Sequence, residues 1–161
     1  MDKPTRKPNR LSYFDYRTPG AYFVTFCTSG HKCIFWVKNA TKPNDPSRHQ
    51  LSKYGLIAEE AIRNIPTRYP AISVDHYAIM PNHIHLLLQI NTDEDGQPIP
   101  TPSISIVVQQ LKGTITKQIG RSVWQKLFHD HVIRDAQDYA KIWEYIENNP
   151  AKWQYDCFYN G

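Results

Sequence analysis

The stretch that most constrains this chain runs from His83 to Ile90, His-Ile-His-Leu-Leu-Leu-Gln-Ile. Apolar residues fill nearly every position after Ile84 instead of alternate ones, the pattern of a strand buried on both faces and so central in its sheet. The other elements arrange themselves around it. Pro19-Gly20 marks a turn, and Ala21 to Thr28 reads as a strand rich in β-branched and aromatic residues. The stretch from Lys38 to Gln50, with two prolines, Asn44 and Asp45, reads as a loop. Ser52 can cap a helix reaching Arg68, with Leu56, Ile57, Ala61, Ile62 and Ile65 at helical spacing. Ile72 to Met80 is a second strand, joined to the central one by a bulge or tight connection at Pro81-Asn82. After a loop over Asn91–Pro102, Ser103 to Gly120 carries the apolar stripe Val107, Val108, Leu111, Ile115 and Ile119 of a helix. Trp124 to Arg134 reads as a fourth strand, and Asp135 caps a last helix that stops at Pro150. The order β-α-β-β-α-β is that of a ferredoxin-like α+β fold, with a C-terminal helix added on or beside the sheet.

The length of 161 residues suits one domain, residues 1–161, with a short basic arm over 1–12. Lys3, Arg6, Lys7 and Arg10 put much of the net charge of +4 into that arm, a composition that seeks phosphates, although a frayed terminus reads the same way. No stretch approaches the ~18 apolar residues that span a bilayer, and MDKPTRKPNR has no apolar run after its charges, so neither a membrane span nor a secretory signal is expected. Three cysteines without a C-x-x-C point to a reduced, cytoplasmic setting. No Gly-rich phosphate loop of the nucleotide-binding kind is present, so no nucleotide cofactor is expected.

Two histidines separated by one residue on a strand share a face, roughly 7 Å apart along the backbone. His83 and His85 can therefore converge on one divalent metal while Ile84 points into the core. A pair of half-buried structural histidines fits the same spacing. On an otherwise apolar strand, however, both imidazoles need partners to offset desolvation. A second H-x-H, His129 and His131, competes for the metal role, with Asp130 directed away from both; residue spacing does not rank the two pairs.

On the last helix Tyr145 and Asn149 lie four apart, on one face at adjacent turns. Tyrosine can serve as a covalent nucleophile, and an amide oxygen can join two imidazoles on a metal that still has positions open for phosphate. Core packing of Tyr145 beside Trp143 and Ile146, and a helix stop at Asn149-Pro150, account for the same residues. Tyr139 is the rival nucleophile, about 120° around the helix from Tyr145.

Five segments, in order, resemble the REP-associated tyrosine transposases of the insertion-sequence-200-like group of single-tyrosine HUH transposases. They are Pro19–Thr25, Met80–Leu87, Gln110–Thr114, Phe128–Arg134 and Tyr145–Pro150, so the resemblance extends over nearly the whole chain. It implies a metal pair at His83 and His85, a nucleophile at Tyr145 and a third ligand at Asn149, where the wider group often has Gln with its longer reach. It implies cleavage of single-stranded DNA beside a hairpin through a 5′-phosphotyrosine, with rejoining and no ATP. The implied cofactor is Mg2+ or Mn2+, and two histidines suit manganese somewhat better. The implied partner is hairpin-bearing single-stranded DNA, bound by a monomer or homodimer, with Lys112 and Arg134 beside the basic arm as candidate phosphate contacts. A protein that binds a DNA or RNA hairpin without cutting it, using aromatics such as Tyr13, Phe14 and Tyr16, is the alternative reading. A metal hydrolase with a water nucleophile is another.

Overall fold

A computed structural model describes residues 14–37 and 50–156. The basic arm, the greater part of the Lys38–Gln50 loop and Cys157 lie outside the described residues. The fold is α+β: four strands, β1 (Gly20–Cys27), β2 (Ile72–Ile79), β3 (His83–Ile90) and β4 (His129–Val132), form one antiparallel sheet in the order β2-β3-β1-β4. The helices are α1 (Lys53–Arg63), α2 (Ile65–Arg68), α3 (Ile104–Ile119) and α4 (Ala136–Asn148).

β3 is an inner strand, as its continuous apolar run requires, and Ile84, Leu86, Leu87, Leu88 and Ile90 are all buried. On one sheet face Ile84, Leu86 and Leu88 pair across β1 with Phe26, Val24 and Tyr22. Trp124 packs on Phe26 from this side and donates its indole N–H to the Lys112 carbonyl, so α3 covers this face. Each of these buried aliphatic side chains contributes about 1.5–3 kcal/mol, most of it offset by chain entropy. The opposite face carries His83, His85 and Leu87 of β3 with Thr25 and Phe23 of β1. α4 lies here, its Tyr145 ring against Phe23 and His85.

Caps and breaks follow local chemistry. Ser52, Ser103 and Asp135 each accept a backbone N–H three residues on, and Gly120 ends α3 in the left-handed region at φ 93°. The helix expected from Ser52 to Arg68 is instead two, because Pro66 has no N–H to donate and Asn64 becomes the break. Leu56, expected in the apolar stripe, is 56% exposed, while Gly55 is buried. A Cβ on Gly55 would lie 2.2 Å from the Phe35 carbonyl oxygen. The fourth strand is shorter than the expected Trp124–Arg134. Trp124 turns into the core, making only an isolated bridge to Thr28, and regular pairing with β1 begins at His129. Pro81-Asn82 is a tight connection, closed by the Met80 N–H on the His83 carbonyl at 2.8 Å. No helix among the described residues is long and apolar enough to cross a membrane.

Candidate active site

The site is built on β3, where the period-2 geometry points His83 and His85 to the α4 face. Both are buried, at 0% and 2% exposure, and their Nε2 atoms are 3.1 Å apart. Each ring is held from behind. The Asn82 amide oxygen lies 2.8 Å from His83 Nδ1 and accepts from it, which turns Nε2 toward His85. His85 Nδ1 lies 2.7 Å from the Thr25 hydroxyl, which can donate or accept and so serves either tautomer. Burial, then the neighbouring His83, push the His85 imidazole down to about 3, offset in part by Asp156 and, least, by the Asn149 amide. His85 is therefore neutral near pH 7.

α4 brings the remaining groups. Pro150, lacking an N–H, converts the helix into a 3-10 turn over Pro150–Tyr155. Trp153 of that turn is buried between the rings of Trp36 and His83. Trp153 thereby anchors Asp156, whose Oδ2 lies 3.5 Å from His83 Nε2 with its side chain 1% exposed. His83, His85 and Asp156 offer three potential metal-ligand atoms within 4.8 Å of one another. Asn149 is buried beside them, and its Oδ1 has no hydrogen-bond partner. A buried amide oxygen left in that state costs about 1–3 kcal/mol; a cation held by the two imidazoles and the carboxylate would remove that cost. The residues thus fit a divalent ion with nitrogen and oxygen donors.

Tyr145 differs from the other four in being 45% exposed. Its ring meets His85 edge-on at 5.3 Å and Phe23 at 6.1 Å. It opens on a cleft of about 430 Å3 that Lys141, Asn149, Lys152 and Asp156 also line. Packing in the core is therefore not what holds Tyr145. α4 is tied down by other side chains. A β-bulge in β2 between Val74 and His76 turns Asp75 toward the helix, where it accepts the Tyr139 hydroxyl at 2.6 Å. Loss of solvation, and next that bond, hold the Tyr139 phenol up at about 12. His76 bonds Glu147 at 2.7 Å beneath the Trp143 ring, and His131 bonds Asp138 at the same distance.

The competing pair, His129 and His131, shares the sheet face of His83 and His85, in register with Thr25 and Phe23, but both are exposed at the sheet edge. Arg134 is exposed just beyond them. The Lys112 ammonium donates to the Gln125 carbonyl at 2.7 Å, on the other side of the sheet, so its charge serves the loop after α3. Asp156, Thr25, Asn82, Lys141 and Lys152 are absent from the sequence-derived site. Only Asn82 carried a local signal, as the residue preceding the histidines.

No protein-family model matches the chain. An uncharacterized Haemophilus influenzae protein is 30% identical, covering 96% of this chain and 93% of its own length. A second protein of that organism, provisionally named a REP-associated tyrosine transposase, is 27% identical over 71% of this chain and 74% of its own. The REP-associated tyrosine transposase of Escherichia coli K12 is 23% identical over 73% of this chain and 66% of its own. The solved structure of a REP-associated tyrosine transposase bound to a REP hairpin shares the fold, with a TM-score of 0.61 and 20% identity over 94% of this chain and 76% of that one. By class, then, this α+β chain is a transposase, a DNA-processing enzyme. Within that class it belongs to the REP-associated tyrosine transposases.

Proposed function

We propose that this chain cuts and rejoins single-stranded DNA beside hairpins through a 5′-phosphotyrosine on Tyr145, assisted by a divalent metal at His83, His85, Asn149 and Asp156. The observation that carries the reading is the half-exposed Tyr145 ring against His85 of the buried pair, with a cleft open in front of it. The REP hairpin in the related structure supports the substrate class, and the strand order supports the ferredoxin-like reading with an added tyrosine helix.

The bound metal would act as a Lewis acid on the scissile phosphate. Donors of two imidazoles, an amide and one carboxylate favour manganese over magnesium. Asn82 and Thr25 orient the imidazoles from behind, and outer partners of this kind set ligand basicity. α4 aims the phenol, tethered through Tyr139 and Glu147 to β2 and through Asp138 to β4. The Tyr145 oxygen bonds to phosphorus and the bond from phosphorus to the 3′ oxygen breaks. The phenol proton passes to water in the cleft, and the departing 3′ oxygen takes one up. The reverse attack by a 3′-hydroxyl regenerates the phosphodiester, so no ATP is consumed. The basic arm (Lys3, Arg6, Lys7, Arg10) and Arg134 would add phosphate contacts. The same reading has the enzyme work in the cytoplasm, as a monomer or homodimer.

The test is a denaturing gel with a labelled pool of hairpin oligonucleotides carrying randomised single-stranded flanks, in Mn2+. The expected outcome is a covalent adduct with wild type and Tyr139→Phe, and none with Tyr145→Phe, which still binds the pool. Cleavage that survives Tyr145→Phe without an adduct would indicate a water nucleophile. Binding without cleavage in any variant would indicate a hairpin-binding protein.

A further inference from the structure

The cleft in front of Tyr145 holds two lysines that the chemistry above does not use. Lys141 lies one helical turn before Tyr145 on the same face of α4, about 6 Å along its axis. Lys152 lies beyond Asn149, in the 3-10 turn that carries Asp156 toward the histidines. Both are exposed and line the same cleft; Lys152 donates its backbone N–H to the Asn149 carbonyl at 3.0 Å, while neither ammonium group makes a hydrogen bond or ion pair among the described residues. Most other cations near the site are spoken for or distant: Lys112 is bonded to carbonyls across the sheet, and Arg63 pairs with Glu59 on α1. Glu144 lines the cleft too, again without an ion pair. Two lysines against Glu144 and Asp156 leave the cleft close to neutral, so it accepts a polyanion best once a divalent cation is held.

We propose that Lys141 and Lys152 bind the backbone phosphates on either side of the one attacked by Tyr145, so that the single strand runs along α4 and not across it. The proposal rests on the reading of Tyr145 as nucleophile, and it goes further in naming the residues that hold the flanking strand. An extended single strand spaces its phosphates wider than the ~3.4 Å per nucleotide of a stacked duplex strand, and a turn of helix between lysine and phenol suits that wider spacing. Contacts to phosphate position the strand without reading its sequence, so the effect holds for any base composition.

The test measures binding of fluorescein-labelled oligo(dT) by anisotropy, with Mn2+ present, in a Tyr145→Phe background over a range of salt concentrations. Each phosphate neutralised on a single strand contributes ~0.7 to the slope of log affinity against log salt. Lys141→Ala and Lys152→Ala are each expected to flatten the slope by about 0.7, which corresponds to about fivefold weaker binding at 0.1 M salt. Lys141→Arg and Lys152→Arg keep the slope, as does Lys117→Ala at the end of α3. Unchanged slopes in both alanine variants, with the Tyr145-dependent adduct still formed in their Tyr145 parents, overturn the proposal and leave the function standing. Absence of the adduct in the otherwise wild-type protein, with oligo(dT) bound no better than a duplex, overturns both.

Discussion

Acidifying the metal-free protein is expected to destabilise it through His85. Its imidazole is held at about 3 against an ordinary 6.5, chiefly because it is buried and next because His83 adjoins it. Between those values the unfolded chain carries a proton on His85 that the folded chain refuses. The stabilisation is therefore complete above pH 6.5 and is lost progressively as the pH falls toward 3. At about 1.4 kcal/mol per pH unit the whole window is worth about 5 kcal/mol, and roughly 3 kcal/mol is gone by pH 4.5. That is a large part of the ~5–15 kcal/mol that holds a domain folded. The groups facing His85 are His83 on its own strand, Thr25 on β1, Tyr145 on α4, and Asn149 and Asp156 at and beyond the end of α4. Of these, His83, Tyr145 and Asp156 carry ionisable side chains. Urea unfolding from pH 7 to pH 4.5 in chelator, on wild type, Asp156→Asn and His85→Asn, isolates the His85 contribution as a slope. Wild type and Asp156→Asn should lose stability about 1.4 kcal/mol per pH unit faster than His85→Asn. Equal slopes, or an NMR titration placing the His85 midpoint near 6.5, would falsify this account of the buried pair.

Manganese binding, followed by loss of the free-ion EPR signal, should weaken at least tenfold in Asp156→Asn, and about 10–100-fold in Thr25→Val, where only the support behind His85 is removed. Equal affinity in Asp156→Asn would take the carboxylate out of the ligand set. Gly55→Ala should destabilise the fold by about 1–3 kcal/mol in urea unfolding, because the new methyl meets backbone, the Phe35 carbonyl oxygen, and not a side chain that can swing away. A variant as stable as wild type would mean that α1 slides along the sheet more easily than this packing implies.

What was legible in the sequence is what depends on local periodicity. A strand alternates faces whatever surrounds it, so His83 and His85 had to point together. A helix returns every three to four residues, so Tyr145 and Asn149 had to share a side. The run from Ile84 to Ile90 had to be interior because only a covered strand stays apolar at nearly every position. The illegible parts are those closed by distant chain. Thr25 reaches His85 only because β1 and β3 pair in one register; a slip of one residue would present Val24 or Phe26 instead. Asp156 arrives only because Pro150 breaks α4 and Trp153 finds a slot between Trp36 and His83, and no spacing in the chain announces that. The same limit explains why the two H-x-H pairs could not be ranked from spacing. Both face the same side of the sheet, separated by β1 alone, with Thr25 in register with His85 on one side and His129 on the other. What separates them is cover. α4 and the turn beyond it close over β3, and leave the edge strand β4 open to water. Water satisfies exposed imidazoles at no cost, whereas a buried pair with facing nitrogens must find a proton or a cation. The desolvation that tells the pairs apart is thus a property of the assembled sheet, and the residues that impose it, Trp153 and Asn149 among them, lie more than sixty positions from the histidines they enclose.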